Sequence, residues 1–422
     1  MRHVLIVGGG FVGLNAAKVL GNAREVEVTL VDRENFHLFQ PLLYQVAMAG
    51  LSPAEIAVPI RRILSQYGNI QVLMGRVISI DLKTKKAFTD VGEIGFDYLI
   101  MACGAQHTYY GHEEWEEYAP GLKTIEQATE IRRRILSAFE RAESQRNAEK
   151  KMKLLTFVII GGGTTGVELA GAIGEMSRYF FLKDFKHINP QLTRVILIEA
   201  GPRILPSFSE RLANRATQDL KGLGVQVWTS KRVTKVDSEG VEIGKERIQA
   251  ATVLWAAGIQ ASQLNRQLGG ELDPLGRVKV ESDLSLKEHP EVFVAGDQAH
   301  VSSQNGKPLP GLAPVAVQEG RFIAKNILNE INGLTRQEFH YKDKGQMATI
   351  GRSRAILELG RIRLCGPVAW VMWLFIHIYS LTGFKNRLFV ILQWAISYLT
   401  FRKGARLIVG KEWRLYGSRL GL

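Results

Sequence analysis

Val4-Leu5-Ile6-Val7-Gly8-Gly9-Gly10-Phe11-Val12-Gly13 is the stretch that decides the fold. Four apolar residues in a row read as a strand buried on both faces, the habit of a parallel sheet. Gly8, Gly10 and Gly13 follow in the spacing GxGxxG, and each has a physical task. The first allows a tight turn, the second lets the backbone approach a pyrophosphate, and the third lets helix and strand pack closely. Asn15 to Leu20 continues as a helix whose N-terminus turns free N–H groups and a positive dipole end toward the phosphates. The next strand, Val26 to Val31, ends at Asp32, where a carboxylate accepts hydrogen bonds from a ribose. Strand, turn, helix, strand and acid form the first unit of a doubly wound α/β sheet.

The pattern recurs about 150 residues later, too far apart for a solenoid. Phe157 to Ile160 is a strand, Gly161-x-Gly163-x-x-Gly166 a turn, and Val167 to Met176 a helix. Val195 to Ile198 follows and ends at Glu199. That acid repels a 2′-phosphate, so NADH is expected over NADPH. Arg203 lies four residues further on, beyond the usual place of a phosphate reader. The chain therefore reads as two Rossmann-like dinucleotide-binding domains. A late segment, Val292-Phe293-Val294-Ala295-Gly296-Asp297, supplies a buried strand ending in Gly-Asp, which places a carboxylate near the ribityl hydroxyls of a flavin. Such a returning segment completes the first site in flavoproteins with two dinucleotides. Non-covalent FAD is thus expected at the first turn, and NADH, as co-substrate, at the second.

Working outward, further strands are expected at Tyr98 to Ala102 and Thr252 to Ala256. The charged stretch Glu126 to Lys153 reads as a helical crossover between domains. Leu309 to Ile327 reads as a loop feeding a helix from Val315. The expected domains are 1–120 with 271–335 for FAD, 121–270 for NADH, and 336–422 as a membrane-anchoring region. With 422 residues the chain exceeds one ordinary core. Its two cysteines, Cys103 and Cys365, form no CxxC, and the histidines show no metal spacing, so no disulfide framework and no metal site is expected. Met1 runs straight into a strand, which speaks against a secretory signal.

Net charge is +13, and most of it sits late: from Arg361 onward ten basic residues face the single acid Glu412. They stand among Trp, Phe, Ile and Leu without a nucleic-acid-binding motif, which favours a membrane lipid surface over nucleic acid. Two apolar stretches, Val368 to Leu381 and Leu388 to Phe401, are each shorter than the roughly 20 residues a spanning helix needs. Gln393, Ser397 and Thr400 make one narrow polar stripe on the second. Trp370, Trp373, Trp394 and Tyr398 suit a membrane interface, and Arg402-Lys403 suits anionic head groups. Both stretches are expected as amphipathic helices lying in one leaflet, with a buried dimerisation helix and a spanning hairpin as the alternatives.

These residues give the chain a resemblance to the type II NADH dehydrogenases, single-subunit NADH:quinone oxidoreductases. The most specific string is Asp32-Arg33-Glu34-Asn35-Phe36-His37-Leu38-Phe39-Gln40-Pro41-Leu42-Leu43-Tyr44-Gln45-Val46-Ala47. Ala102-Cys103-Gly104 and Ala256-Ala257-Gly258 stand where related flavoproteins carry Ala-Thr-Gly-like strand ends. Leu381-Thr382-Gly383-Phe384-Lys385-Asn386-Arg387 is similar to the family's junction into its last helix. The resemblance implies a glutathione-reductase-like fold with a C-terminal anchor, and a hydride passed from NADH to FAD with two electrons going on to a membrane quinone, without proton pumping. It implies FAD contacts from Gly8, Gly10, Phe11, Val12, Gly13, Asp32, Arg33, Gln45, Ala102, Gly104, Gly296, Asp297, Ala313, Pro314 and Val315. NADH contacts are implied from Gly161, Gly163, Thr164, Gly166, Glu168, Glu199, Ala257 and Gly258. Glu168 would orient NADH or relay a proton, or else only stabilise its helix N-terminus. Lys385 would lie near flavin and quinone, or else only touch lipid. The family's Ala-Gln-x-Ala-x-Gln reads Ala313-Pro314-Val315-Ala316-Val317-Gln318 here, so Gln318 remains to donate to a flavin or quinone carbonyl while Pro314 removes the other contact. A peripheral location on the cytoplasmic face of the cell membrane, and a homodimer, complete the expectation. The competing functions are a flavoprotein that binds NADH as a sensor or scaffold, and an NADH-dependent reductase of another acceptor such as ferredoxin.

Overall fold

The structure, a computed structural model, describes residues 1–182, 184–302, 306, 308–381, 384–400 and 405–408, without the side chains of 384, 385 and 395–400. The chain divides into two compact units. The first comprises Met1–Leu38, Ala57–Thr108 and Ile259–Lys344; the second comprises Phe39–Ile56, Tyr109–Gly258 and the described residues from Gly345 onward.

From the N-terminus, the elements that matter for function are β1 (Arg2–Val7), α1 (Phe11–Leu20), β2 (Val26–Asp32), β3 (Ile70–Met74) and β4 (Tyr98–Met101). Then come α2 (Ile125–Ser144), β5 (Thr156–Ile160), α3 (Thr164–Glu175), β6 (Arg194–Ile198), α4 (Glu210–Gly222), β7 (Val225–Trp228) and β8 (Thr252–Trp255). The chain continues through β9 (Val292–Val294), α5 (Ala313–Ile331), β10 (Gln346–Gly351), β11 (Arg354–Leu359), β12 (Ile362–Cys365), α6 (Pro367–Ser380) and α7 (Phe384–Thr400).

In the first unit the sheet order is β9-β4-β1-β2-β3, every neighbouring pair parallel. Leu5 sits between Thr29 and Leu99 in register. Val4 to Val7, Leu99 to Met101 and Val292 to Ala295 are all buried, as continuous apolar runs in a parallel sheet must be. In the second unit the order is β7-β6-β5-β8, again all parallel. The shared plan extends beyond the sheets. Each unit places a three-stranded antiparallel meander just before its fourth parallel strand: Val77–Asp81, Lys86–Thr89 and Gly92–Gly95 in one, and Lys235–Asp237, Gly240–Ile243 and Glu246–Gln249 in the other.

Three local findings differ from the sequence-based expectation. Helices α1 and α3 start at Phe11 and Thr164, several residues earlier than periodicity suggests, because Gly10 and Gly163 adopt extended backbone and act as N-caps. Gly13 and Gly166 therefore lie inside helices, not in turns. The stretch Glu126 to Lys153 is no crossover: α2 opens with a Thr124–Gln127 capping box and belongs to the second unit, where Phe139 stacks on Phe157 of β5 at 5.5 Å. Finally, residues 346–365 form an antiparallel sheet, β10-β11-β12, that packs on α3 and α4. A Cβ on Gly171 of α3 would stand 1.8 Å from the Ile350 carbonyl oxygen, so only glycine admits this approach.

The apolar C-terminal helices begin at Pro367. α6 buries Ala369 and Trp373 and exposes Val368, Val371, Phe375 and Tyr379; α7 buries Val390 and Trp394 and exposes Leu388, Phe389, Ile391 and Leu392. Trp373 stacks on His377 at 4.2 Å and on Trp394 at 5.5 Å. These two tryptophans thus join α6 to α7 instead of lining an interface. Among the described residues no helix is long and apolar enough to cross a membrane. The side chains of Ser397, Tyr398 and Thr400, and residues Arg402 and Lys403, lie outside the described part, while Gln393 turns its amide nitrogen to the Glu55 carboxylate at 2.8 Å.

Candidate functional site

The two glycine turns are built alike, atom for atom. At the first, Gly8 has φ +109°, and a Cβ there would lie 2.3 Å from the Ala102 carbonyl oxygen of the neighbouring strand end. A Cβ on Gly13 would lie 1.8 Å from the Gly8 oxygen, whereas one on Gly10 would meet nothing within 4 Å. At the second, Gly161 has φ +108° and a Cβ there would lie 2.4 Å from the Ala256 oxygen, a Cβ on Gly166 would lie 1.9 Å from the Gly161 oxygen, and one on Gly163 would meet nothing within 4 Å. In both turns, then, the outer glycines are forced by close backbone contacts and the middle one guards open space. Neither Gly10 nor Gly163 caps its helix with a side chain, so the first amides of α1 and α3 face that space. A Cβ would fill the cradle; a pyrophosphate fits it.

The acids complete each turn in the same way. Asp32 accepts the Gly9 N–H at 2.5 Å on one oxygen and the Glu34 N–H at 2.7 Å on the other. Burial raises its carboxyl above the usual range, while the Glu34 and Gly9 amides pull against that rise. Glu199 accepts the Gly162 N–H at 2.6 Å and the Gly201 N–H at 2.6 Å. Arg203 donates to the carbonyls of Leu205, Pro206 and Phe208, holding its own loop. Its guanidinium is engaged with those three carbonyls.

Around the first turn, Val12 is buried, Phe11 is half-buried, and Arg33 is exposed and pairs with Glu34 at 3.8 Å. His37 escaped the sequence reading. Its Nδ1–H donates to the Gly9 oxygen at 2.9 Å, its ring meets Phe11 edge-on, and burial pulls the imidazole down to about 4, so it is neutral. The only signal in the sequence was its place five residues after Asp32. Ala102 and Gly104 follow the end of β4, and Gly104 has φ +69°. The late strand β9 is followed by Gly296, also with φ +69°, which turns the chain ahead of Asp297. Ala313, Pro314 and Val315 form the first turn of α5, where proline's fixed φ suits the helix start. All of these belong to the first unit; Gln45 belongs to the second, where its amide donates to the Tyr44 hydroxyl at 2.5 Å.

At the second turn Thr164 opens α3, and Ala257 accepts a hydrogen bond from the Tyr110 hydroxyl at 2.9 Å just before Gly258. Because α3 starts at Thr164, Glu168 stands past the first turn, where stabilisation by the helix dipole has faded. Its half-buried carboxyl is pushed up to about 8 by burial, against the pull of the Thr349 backbone N–H. Glu168 therefore holds a proton at neutral pH. Gln318 gives both amide N–H groups away, to the Pro314 oxygen at 3.2 Å and the Lys342 oxygen at 3.0 Å, and accepts from the Lys342 N–H at 3.0 Å. As folded it straps residue 342, and donation to a quinone carbonyl requires one bond to be given up. The Lys385 side chain lies outside the described residues.

Cysteine chemistry separates this arrangement from dithiol enzymes of similar fold. Cys103 and Cys365 are both free. The Cys103 thiol is in contact with solvent yet ringed by protein, and that surrounding, with the Asp32 carboxylate, pushes it up to about 12. It stays a thiol, not a nucleophilic thiolate.

Residues 2–320 match the family described as pyridine nucleotide-disulphide oxidoreductase, and residues 344–403 match the NDH2 C-terminal domain. A type II NADH:quinone oxidoreductase of Mycobacterium tuberculosis is 41% identical, the alignment covering 97% of this chain and 91% of that protein. One from Staphylococcus haemolyticus is 29% identical over 83% of this chain and 88% of its own length. Among solved structures, NDH2 from Plasmodium falciparum in complex with NADH superposes with a TM-score of 0.87 at 20% identity, covering 97% of this chain and all of that one. With two matching turns, two matching acids and a relative aligned along nearly its whole length, the chain belongs to the type II NADH:quinone oxidoreductases.

Proposed function

We propose that the chain oxidises NADH at its second glycine turn and reduces a quinone, with FAD held at its first. The observation that carries the assignment is an asymmetry between otherwise equal turns: only the first is completed by a late Gly296-Asp297 turn, and only the second has Glu168 beside it. Bound FAD supplies the two-electron chemistry, accepting a hydride from NADH and passing two electrons to the quinone.

The chain's own residues bind and orient. Asp32 and Asp297 accept hydrogen bonds from the ribose and ribityl hydroxyls of FAD, and Gly10, Phe11, Val12 and Gly13 bring the α1 amides to its pyrophosphate. Arg33, Gln45, Ala102, Gly104, Ala313, Pro314 and Val315 complete that site. Gly161, Gly163, Thr164 and Gly166 do the same for NADH, Glu199 reads its ribose, Ala257 and Gly258 complete that site, and Glu168 meets its nicotinamide end. Glu168 keeps its proton at neutral pH, so it orients the dinucleotide as a donor without adding charge. Gln318 and Lys385 serve the quinone, Gln318 by exchanging one of its present bonds.

The domains follow as FAD-binding 1–120 with 271–335, NADH-binding 121–270 and C-terminal 336–422, the last carrying a β-sheet before its helices. The exposed apolar residues of α6 and α7 support docking in one leaflet, and the basic tail supports anionic lipid on the cytoplasmic face. A homodimer is compatible with the same region.

Purified protein should show a flavin absorbance band that NADH bleaches and a soluble quinone analogue restores, with NADPH far slower. A band that NADH leaves unchanged would remove the central assignment.

A further inference from the structure

Three consecutive residues of α5 stitch the first site together. Glu319 is buried, 1% exposed, and its Oε2 accepts the Gly296 N–H at 2.6 Å. A Cβ on Gly320 would stand 2.2 Å from the Val12 carbonyl oxygen of the first glycine fingerprint. Arg321 donates through Nε to Asn15 on α1 at 3.0 Å. The late turn and the fingerprint helix are therefore held against one another by the same stretch of one helix. A cavity of about 20 Å³, wide enough for one water, lies beside it, lined by Arg277, Asp297, Gly311 and Glu319 among others. Two carboxyl groups thus border one small space.

We propose that Glu319 is a positioning residue for the flavin: its buried carboxyl fixes the Gly296 peptide, and thereby Asp297, and its protonation state sets how tightly the cofactor is held. The inference rests on FAD occupying the first site. A mere space-filler needs no acid, since a buried charge without a partner is costly. Burial is what raises this carboxyl, to about 7, with the Gly296 amide opposing and the neighbouring Asp297 charge adding to the rise. The charged and titratable groups that face it are Asp297 on the late turn, Arg277 across the cavity and Tyr341; from α1 the facing residue, Val12, is apolar. Arg277 is already engaged with Asp273 at 2.7 Å. Ionised Glu319 adds a second negative charge next to Asp297 and an anionic cofactor, so loss of its proton weakens FAD binding. Glu319→Gln retains the acceptor for Gly296 but cannot titrate.

FAD affinity is to be measured on the full chain, parent and E319Q, from pH 6 to 8, by the fluorescence of released flavin. A single linked proton allows the parent's Kd to rise roughly tenfold over that range, while E319Q changes less than about twofold. The sign for the cofactor-free chain is also fixed. The folded carboxyl is raised above its unfolded value, so the parent loses stability as pH climbs from about 4.5 toward 7 while the variant does not. The margin by which E319Q melts above the parent should therefore widen from pH 5 to pH 7.5. Parallel pH profiles in parent and variant, in either measurement, overturn the proposal. A parent that binds no FAD overturns the flavin assignment instead, and the melting comparison still reports on Glu319.

Discussion

Single residues in the two turns make opposite demands, and substitution separates them. A methyl group at Gly13 would stand 1.8 Å from a carbonyl oxygen, so Gly13→Ala must displace α1 from β1. Overpacking of this kind costs about 1–3 kcal/mol, visible as a lowered Tm together with flavin loss. Gly10 has an ordinary negative φ and open space, so Gly10→Ala should leave the Tm unchanged while reducing flavin content. Equal loss of stability in both variants would contradict the cradle. The same contrast, Gly166 against Gly163, should appear at the second turn as Tm against KM for NADH. Glu168 carries a different signature. With its carboxyl raised to about 8, it is neutral below that pH and anionic above it. KM for NADH should climb above pH 8 in the parent and stay flat in Glu168→Gln; identical profiles would leave Glu168 without a role in binding. At this scale the sequence was most legible where backbone geometry forces the residue. GxGxxG plus an acid at the strand end was plain twice over: close backbone approaches leave no room for a Cβ at Gly8, Gly13, Gly161 and Gly166, and Asp32 and Glu199 each accept two backbone amides. His37, Glu319 and the bonds that occupy Gln318 were illegible, since each depends on what a distant segment brings beside it.

Helices and strands show where local pattern stops sufficing. The long apolar strands were plain from four-residue runs, but β10-β11-β12 was not. Its strands carry no four-residue apolar run, its turns fall at Ser353 and Gly360, both with positive φ, and a register shift between Thr349 and Gly351 breaks the alternation. What holds it is the approach to Gly171 on α3, a long-range fact. The aromatic residues of the C-terminal helices carry another lesson. Tryptophan near a membrane segment suggests an interface, yet Trp373 is stacked inside. Trp373→Ala should cost about 3–5 kcal/mol of stability. Phe375, 72% exposed on the same helix, should behave in reverse: Phe375→Ser keeps the Tm and weakens flotation with anionic vesicles. Arg132 of α2 binds this region from within, donating to the carbonyls of Val46 at 2.8 Å, Leu51 at 2.9 Å and Ala405 at 3.2 Å. Arg132→Lys should not rescue the loss caused by Arg132→Ala, because one ammonium cannot serve three carbonyls set in a fork. Equal melting of the Lys variant and the parent would argue that the fork is dispensable.

Over the whole molecule, basic residues collect in the sequence from Arg361 onward, the stretch that also carries the exposed apolar residues of α6 and α7. Vesicle association should therefore need both: anionic lipid, with binding that weakens as salt screens the surface beyond a Debye length of about 8–10 Å, and the helices from Pro367 onward. A chain shortened before Arg363 that still pellets with vesicles would place the membrane contact elsewhere. The duplicated plan, by contrast, concerns time. In each turn the strand-end acid, Asp32 or Glu199, is clasped by two backbone amides within the folded chain. Its rotamers are frozen when the protein folds, not when a nucleotide arrives. If the first site is filled once by FAD, the difference there is slight. On the assignment proposed above the second would fill and empty in every cycle, and there a side chain that never has to be ordered again would lower the entropic cost of each encounter with NADH.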